Sequence, residues 1–167
     1  MDVNEDIITR INFAIVNAKR NAQFGDAGSM EASLSIAEEA AEKTGSDISH
    51  LVSNIRHEGY RCAAEYQLYK AVNFAVSGNT FAMEPVLETA KKYASIAGID
   101  ISEKVGSIEV ACYSNALPSV IARAKRFAES GDKRNMHIFL TVAHRYAERV
   151  GDEKTLEIIG RVRQLFG

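Results

Sequence analysis

Four histidines, two cysteines and a few adjacent carboxylates are the side chains of this sequence best suited to chemistry, so their spacing is the first thing to test. His50 and His57 stand seven residues apart, and so do His137 and His144. Seven residues place each pair on one face of a helix but two turns apart, too far for both rings to ligate one metal. Helical metal spacing is i, i+3 or i, i+4, as in HExxH, and the chain lacks it. Imidazoles in such places serve as amphipathic boundary groups. Glu38-Glu39 and Asp152-Glu153 have no partner at a fixed spacing, and the Glu-x-x-His arrangement of di-iron bundles is absent. Cys62 and Cys112 lie in no CxxC pattern and read as free, partly buried thiols. The glycines are single, so no glycine-rich loop cradles a phosphate, and no serine occupies a GxSxG elbow. This reading gives no catalytic residue, metal ligand or cofactor, and hence no enzyme.

Basic residues offer a different chemistry. Lys19-Arg20, Lys91-Lys92, Arg123-Lys125-Arg126 and Arg145-Arg149 are followed by Arg161 and Arg163, with Phe127 and Tyr146 nearby. Such a stripe is raw material for contacts to a nucleic-acid backbone and its bases. Glu129, Asp132, Glu148, Asp152 and Glu157 interleave with it at helical spacing, which favours ion-paired surface. Net charge is only −2, but it is unevenly spread: residues 1–58 carry 5 basic and 10 acidic side chains, and residues 117–167 carry 10 and 6. The acidic opening Met1 to Asp6 and the absence of a long apolar run predict no signal peptide, targeting presequence or membrane span, and a cytoplasmic protein.

The elements that must position these groups announce themselves through repetition. Eight columns recur three times at a spacing of 53 residues: Ala18/Ala71/Ala124, Ala22/Ala75/Ala128, Gly25/Gly78/Gly131, Met30/Met83/Met136, Leu34/Leu87/Leu140, Ala37/Ala90/Ala143, Ala41/Ala94/Ala147 and Gly45/Gly98/Gly151. In the first copy Ile7, Ile8, Ile11, Ala14, Ile15, Ala18 and Ala22 follow steps of three and four, the pattern of a helix with one buried face. Gly25 then closes it in the left-handed conformation. A second helix is expected from about Ser29 to Thr44, with Ser29 and Asn135 as N-caps, Pro85 in the first turn of the middle copy and Gly45 as the closing residue. A third begins near Asp47, Asp100 and Asp152, with the apolar faces Leu51, Val52, Ile55 and Val105, Ile108. In the last copy that face reads Leu156, Ile158, Ile159, Val162, Leu165 and Phe166. A bend is expected between Gly59 and Ala64, with a single helix over 47–77 as the alternative, and a break at Asn115-Ala116-Leu117-Pro118, giving nine helical segments of which two are open to fusion. The alanines let facing helices approach closely, and Tyr93/Tyr146 and Phe74/Phe127 fill the space they leave.

Ala71, Phe74 and Gly78 followed by Met83, Leu87 and Ala90, and the same residue types from Ala124 to Ala143, resemble the two-helix hairpin of the tetratricopeptide repeat. The first copy keeps Ala18, Gly25, Leu34 and Ala37 but has Asn21 in place of the aromatic. The family's tryptophan and closing proline are absent, and the period is 53. The lysine and asparagine pattern by which some of its members clamp a C-terminal carboxylate is missing too. The likeness implies a groove lined by the exposed side of the first helices. Asn12, Ile15, Lys19, Gln23, Glu65, Leu68, Val72, Val76, Ile121, Lys125 and Glu129 would then face a partner.

The expectation is therefore an all-α chain of three 53-residue helical repeats with about three helices each. They form a right-handed tetratricopeptide-like α-solenoid or a compact antiparallel helical array, as a single domain over 1–167 with units of about 7–59, 60–112 and 113–167. The expected role is a non-catalytic scaffold for a protein or peptide partner. Self-association into a homo-oligomer, or nucleic-acid binding through the basic last repeat, are the alternatives.

Overall fold

The computed structural model describes residues 3–166, with side chains from residue 5 to 165; Met1, Asp2, Gly167 and the side chain of Phe166 lie outside the described residues. The described residues are all-α. Seven helices follow one another: α1 (Val3–Gln23), α2 (Ala27–Thr44), α3 (Ser49–Val76), α4 (Thr80–Ala97), α5 (Ser102–Glu129), α6 (Lys133–Val150) and α7 (Glu153–Phe166). None is long and apolar enough to cross a membrane.

Seven helices replace the nine segments expected, because α3 and α5 each run unbroken through the predicted bend and break. The reason lies in the phase of their apolar residues. Val52, Ile55, Gly59 and Ala63 form one stripe at helical spacing, and all four are buried. A bend at Gly59 would have thrown the halves of that stripe out of line. Gly59 is there for space: a Cβ on it would lie 2.0 Å from Met30 Sδ and 3.1 Å from Ala22 Cβ. In α5 the stripe is Val105, Ile108, Cys112 and Ala116, again buried throughout. Pro118 sits beyond it on the exposed side, where its ring costs the helix one internal hydrogen bond without displacing the core.

The turns joining first and second helices are shorter than expected. Asp26, not Ser29, is the N-cap of α2: its Oδ1 accepts from the Ser29 N–H at 3.0 Å. Asp132 likewise caps α6 by accepting from the Asn135 N–H at 3.1 Å, and Asn79 Oδ1 accepts from the Ala82 N–H at 3.1 Å ahead of α4. Ser29 and Asn135 are thus third helical residues, and Pro85 falls in the second turn of α4. The capping amides hold the Asp26 and Asp132 carboxyls below the ordinary aspartate range, so both caps are charged at neutral pH. Gly45 takes φ +66° and forms the paired bonds of a Schellman ending, its own N–H to Glu42 O and the Ser46 N–H to Ala41 O. The same pair of bonds closes the helix before Gly25, Gly78, Gly98, Gly131 and Gly151, each with positive φ.

The chain forms two compact units, Met1–Tyr69 with Leu87–Ile101 and Lys70–Val86 with Ser102–Gly167. In the first, α1 packs on α2, and Ile11, Ile15, Ala18 and Ala22 meet Met30, Leu34, Ala37 and Ala41, with Val52 and Ile55 of α3 closing the core. Full burial of a side chain such as Leu34 contributes about 1.5–3 kcal/mol. At the margin Arg56 donates to both oxygens of Glu31 and, by a parallel fork, to both oxygens of Glu38 at 3.0 Å. In the second unit α5 packs on α6 and α6 on α7, around Met136, Leu140, Ala143 and Ala147. The Asn115 Nδ2 donates to Ala75 O at 3.0 Å, a second bond to the carbonyl that already accepts the Gly78 N–H at the C-terminal end of α3.

Two closing glycines separate backbone strain from packing. A Cβ at Gly98 meets open space, whereas one at Gly78 would stand 2.8 Å from the Ala116 nitrogen. Gly98→Ala should cost about 1 kcal/mol from positive φ alone. Gly78→Ala should cost about 1–3 kcal/mol beyond that, because backbone cannot step aside. Urea unfolding of both variants checks the difference, and equal midpoints would refute it.

Candidate functional site

Helix α7 leaves the second unit with a groove. Among its described side chains Ile159 alone is buried, whereas Ile158 is 49% exposed and Leu165 is 78% exposed. Leu165 stands 53 residues after the fully buried Cys112 and 106 after Gly59, whose missing side chain admits a methionine. A leucine there has no such room. Between α7 and the α5–α6 pair a cleft of about 400 Å³ opens, floored by Ile121, Ala128, Met136, Leu140 and Ile159 and walled by Val162.

The groove is apolar by construction. Its polar rim groups are engaged with one another: Lys125 Nζ lies 3.8 Å from Glu129 Oε1, and Thr155 Oγ1 donates to Asp152 Oδ2 at 2.6 Å. Such a surface receives hydrocarbon side chains. The uncovered state of this region is local to the end of α5. In the first unit a Cβ on Gly25 would meet Cys62 and Ala63 at 3.1–3.3 Å, and in the second a Cβ on Gly78 would meet Asn115 and Ala116. A Cβ on Gly131 would meet nothing within 4 Å, and Ala128 is half-buried where Ala22 and Ala75 are buried.

A second feature lies on the far side of α5. Phe127 and Phe139 stack with ring centroids 5.4 Å apart, Arg123 lies over the Phe139 ring at 5.8 Å, and Arg126 and Ser130 complete a shallow hollow. Among the described residues neither guanidinium pairs with a carboxylate. Other basic residues do: Lys91 with Glu88, Arg145 with Glu84, Arg149 with Glu109 and Arg161 with Glu157.

Of the residues expected to face a partner, Asn12, Lys19, Gln23, Glu65, Val72, Val76, Lys125 and Glu129 are exposed. Ile121, Lys125 and Glu129 come together on the groove. Ile15 and Leu68 are corrections. Both are buried, because Ile15 follows Ile11 by four and precedes Ala18 by three, and Leu68 stands the same way between Ala64 and Ala71. That is the core phase of each helix.

The chemically suggestive residues occupy separate settings. His50 Nδ1 contacts Asn54 Nδ2 at 3.2 Å. His144 Nε2 approaches Glu148 at 3.3 Å, while its Nδ1 is buried without a partner. Among the described residues no three His, Cys, Asp or Glu side chains are placed to hold a metal ion. Burial raises the thiol pKa of both Cys62 and Cys112, with Glu58 and Glu84 respectively adding to it, so both stay protonated and poorly nucleophilic at neutral pH.

One polar cluster escaped the sequence reading. The Tyr113 hydroxyl donates to Glu84 Oε1 at 3.0 Å, its ring lies 4.9 Å from that of Tyr146, and the Tyr146 hydroxyl meets Thr80 Oγ1 at 2.7 Å. Tyr60 pairs with Tyr93 in the first unit at 5.7 Å. A signal was available: Tyr60 and Tyr113 are 53 apart, as are Tyr93 and Tyr146. Compared with known proteins, the chain matches no family, no curated protein and no solved structure.

Burial, and then the bond to Glu84, push the Tyr113 phenol up to about 12 from an ordinary 10.0. Above pH 10 the unfolded phenol ionises while the folded one resists, so its share of stability is complete below pH 10 and drains away toward pH 12. Tyr113→Phe should lower stability at pH 8 yet give a shallower decline between pH 10 and 12 in urea unfolding. Parallel declines in the two proteins would refute the assignment.

Proposed function

We propose that this chain is a non-catalytic interaction module, made of three 53-residue helical repeats in a tetratricopeptide-like stack, whose groove among α5, α6 and α7 seats an amphipathic helix of a protein partner. The observation that carries the reading is the apolar cleft of about 400 Å³ among α5, α6 and α7. Around Gly25 and Gly78 the equivalent surface is occupied by a helix presenting small residues, Cys62-Ala63 and Asn115-Ala116. Around Gly131 and Ala128 it is vacant and apolar. The cleft suits an α-helix whose apolar side chains lie between Ile121 and Ile158.

A synthetic, fluorescently labelled peptide of residues 56–76, which includes the covering stretch of the first unit, serves as the probe. Its anisotropy should rise on titration with the intact chain. Ile158→Glu, at a half-exposed position, should weaken binding at least ~10-fold, the loss expected of a central apolar anchor. No binding at millimolar protein, or equal binding by Ile158→Glu, would remove the reading.

The stacked Phe127 and Phe139, with Arg123 and Arg126 beside them and without a carboxylate partner among the described residues, favour a second reading, single-stranded nucleic acid. A mixed oligonucleotide pool at low salt should then be retained, with an affinity that falls steeply with salt and drops further for Arg123→Ala/Arg126→Ala. Retention unaffected by that double substitution would remove it.

A further inference from the structure

Resting on the reading of the hollow at Phe127 and Phe139 as a surface for single-stranded nucleic acid, we infer that it seats one base of the strand on that aromatic pair. The flanking phosphates lie on Arg123 and Arg126, and the base is held whatever its identity. Charge is the first support. Residues 123–134 carry five basic side chains against two acidic. The acidic residues that interleave with the basic ones along the last repeat are all committed elsewhere. Glu129 lies against Lys125 on the cleft side of α5, Asp132 caps α6, Glu148 approaches His144, Asp152 accepts from Thr155, and Glu157 holds Arg161. Among the described residues, Arg123 and Arg126 thus line the hollow with no carboxylate to meet them, and the complement of such a surface is an anion.

The aromatic pair narrows the kind of anion. In the other copies Phe139 is matched by Ser33 and Val86, and Arg123 by Asn17 and Lys70, so the packing of a repeat does not call for this combination. A half-buried phenylalanine pair beside two cations suits a ligand that joins a flat ring to a negative charge, which a nucleotide does. A duplex keeps its base faces stacked on one another, so the ligand is a single strand. Nothing in the hollow is placed to read a base edge. Its lining holds neither amide nor carboxylate, and its one hydroxyl, that of Ser130, already donates to Phe127 O at 3.0 Å. Guanidiniums that hold phosphate and a ring that offers its face treat every base alike.

Fluorescence anisotropy of the intact chain with labelled strands of about 12 nucleotides tests this. Oligothymidylate, oligocytidylate and oligoadenylate should bind within ~10-fold of one another, and an abasic strand of equal length and charge at least ~5-fold more weakly, the loss of one stacked base. The logarithm of affinity should fall against the logarithm of salt with a slope of about −1.4 for two phosphates, and Arg123→Ala should bring it to about −0.7. Phe139→Leu keeps an apolar side chain at a half-buried position and removes the aromatic face. It should lower the natural strands to the abasic level and leave the abasic strand unchanged. An abasic strand that binds as well as the others, a preference above ~100-fold for one base, or a Phe139→Leu chain that binds as the parent does would each overturn the inference. The abasic comparison needs no variant, so it decides even where Phe139→Leu melts early. If the natural strands still bind through Arg123 and Arg126 in those cases, the nucleic-acid reading stands and only the seated base is wrong. If no strand binds at millimolar protein, both fall.

Discussion

The close approach of α3 to the hairpin below it is the constraint on which the first unit depends. Met30 Sδ occupies the volume where a side chain at Gly59 would begin, and Ala22 approaches from the other side. Helix axes come this near only where a side chain has been deleted from one partner and a flexible one fills the remainder from the other. The glycine weakens its own helix by about 1 kcal/mol relative to alanine, and the packing it permits offsets that. At the corresponding position Cys112 solves the same problem with a small apolar thiol, buried completely. Its elevated pKa follows from that burial, which makes the cysteine a packing residue.

Turn chemistry serves the same end. Asp26 closes two helices at once: its N–H bonds to Asn21 O at the end of α1, and its carboxylate caps α2. Asn79 and Asp132 do likewise. A turn in which one residue serves both helices leaves little slack, so the hairpin angle is set by backbone geometry and the alanine columns have only to fit it. The Arg56 fork onto Glu31 and Glu38 then joins α2 to α3 at the margin, with geometry that lysine could not reproduce.

The groove arises where this scheme is relaxed. Leu165 occupies the register position that Gly59 and Cys112 keep small, and a leucine cannot lie against a methionine at that distance. Helix α7 therefore packs through Ile159 and presents Ile158 and Leu165 to solvent. An apolar face therefore stays open beside α5 and α6. The polar residues around it, Lys125 with Glu129 and Thr155 with Asp152, are already satisfied by each other.

Much of this was legible in the residues. The three- and four-residue steps of Ile11, Ala14 and Ala18 dictate a helix with one buried face, and glycine at positions 25, 45, 78, 98, 131 and 151 dictates where helices end, because both effects are local. What the residues did not decide was anything that needed a neighbour. Gly59 and Pro118 look like breaks along the chain, and only the tertiary structure shows that Gly59 makes room for Met30 and that Pro118 faces solvent within an unbroken helix. Ile15 and Leu68 look available on an analogy, and only packing shows them inside. The groove was equally hidden, since its existence depends on what fails to cover Ala128 and Gly131. Local sequence sets backbone propensity, whereas the space around a side chain is set by residues distant along the chain, and a single sequence does not state which of them arrive.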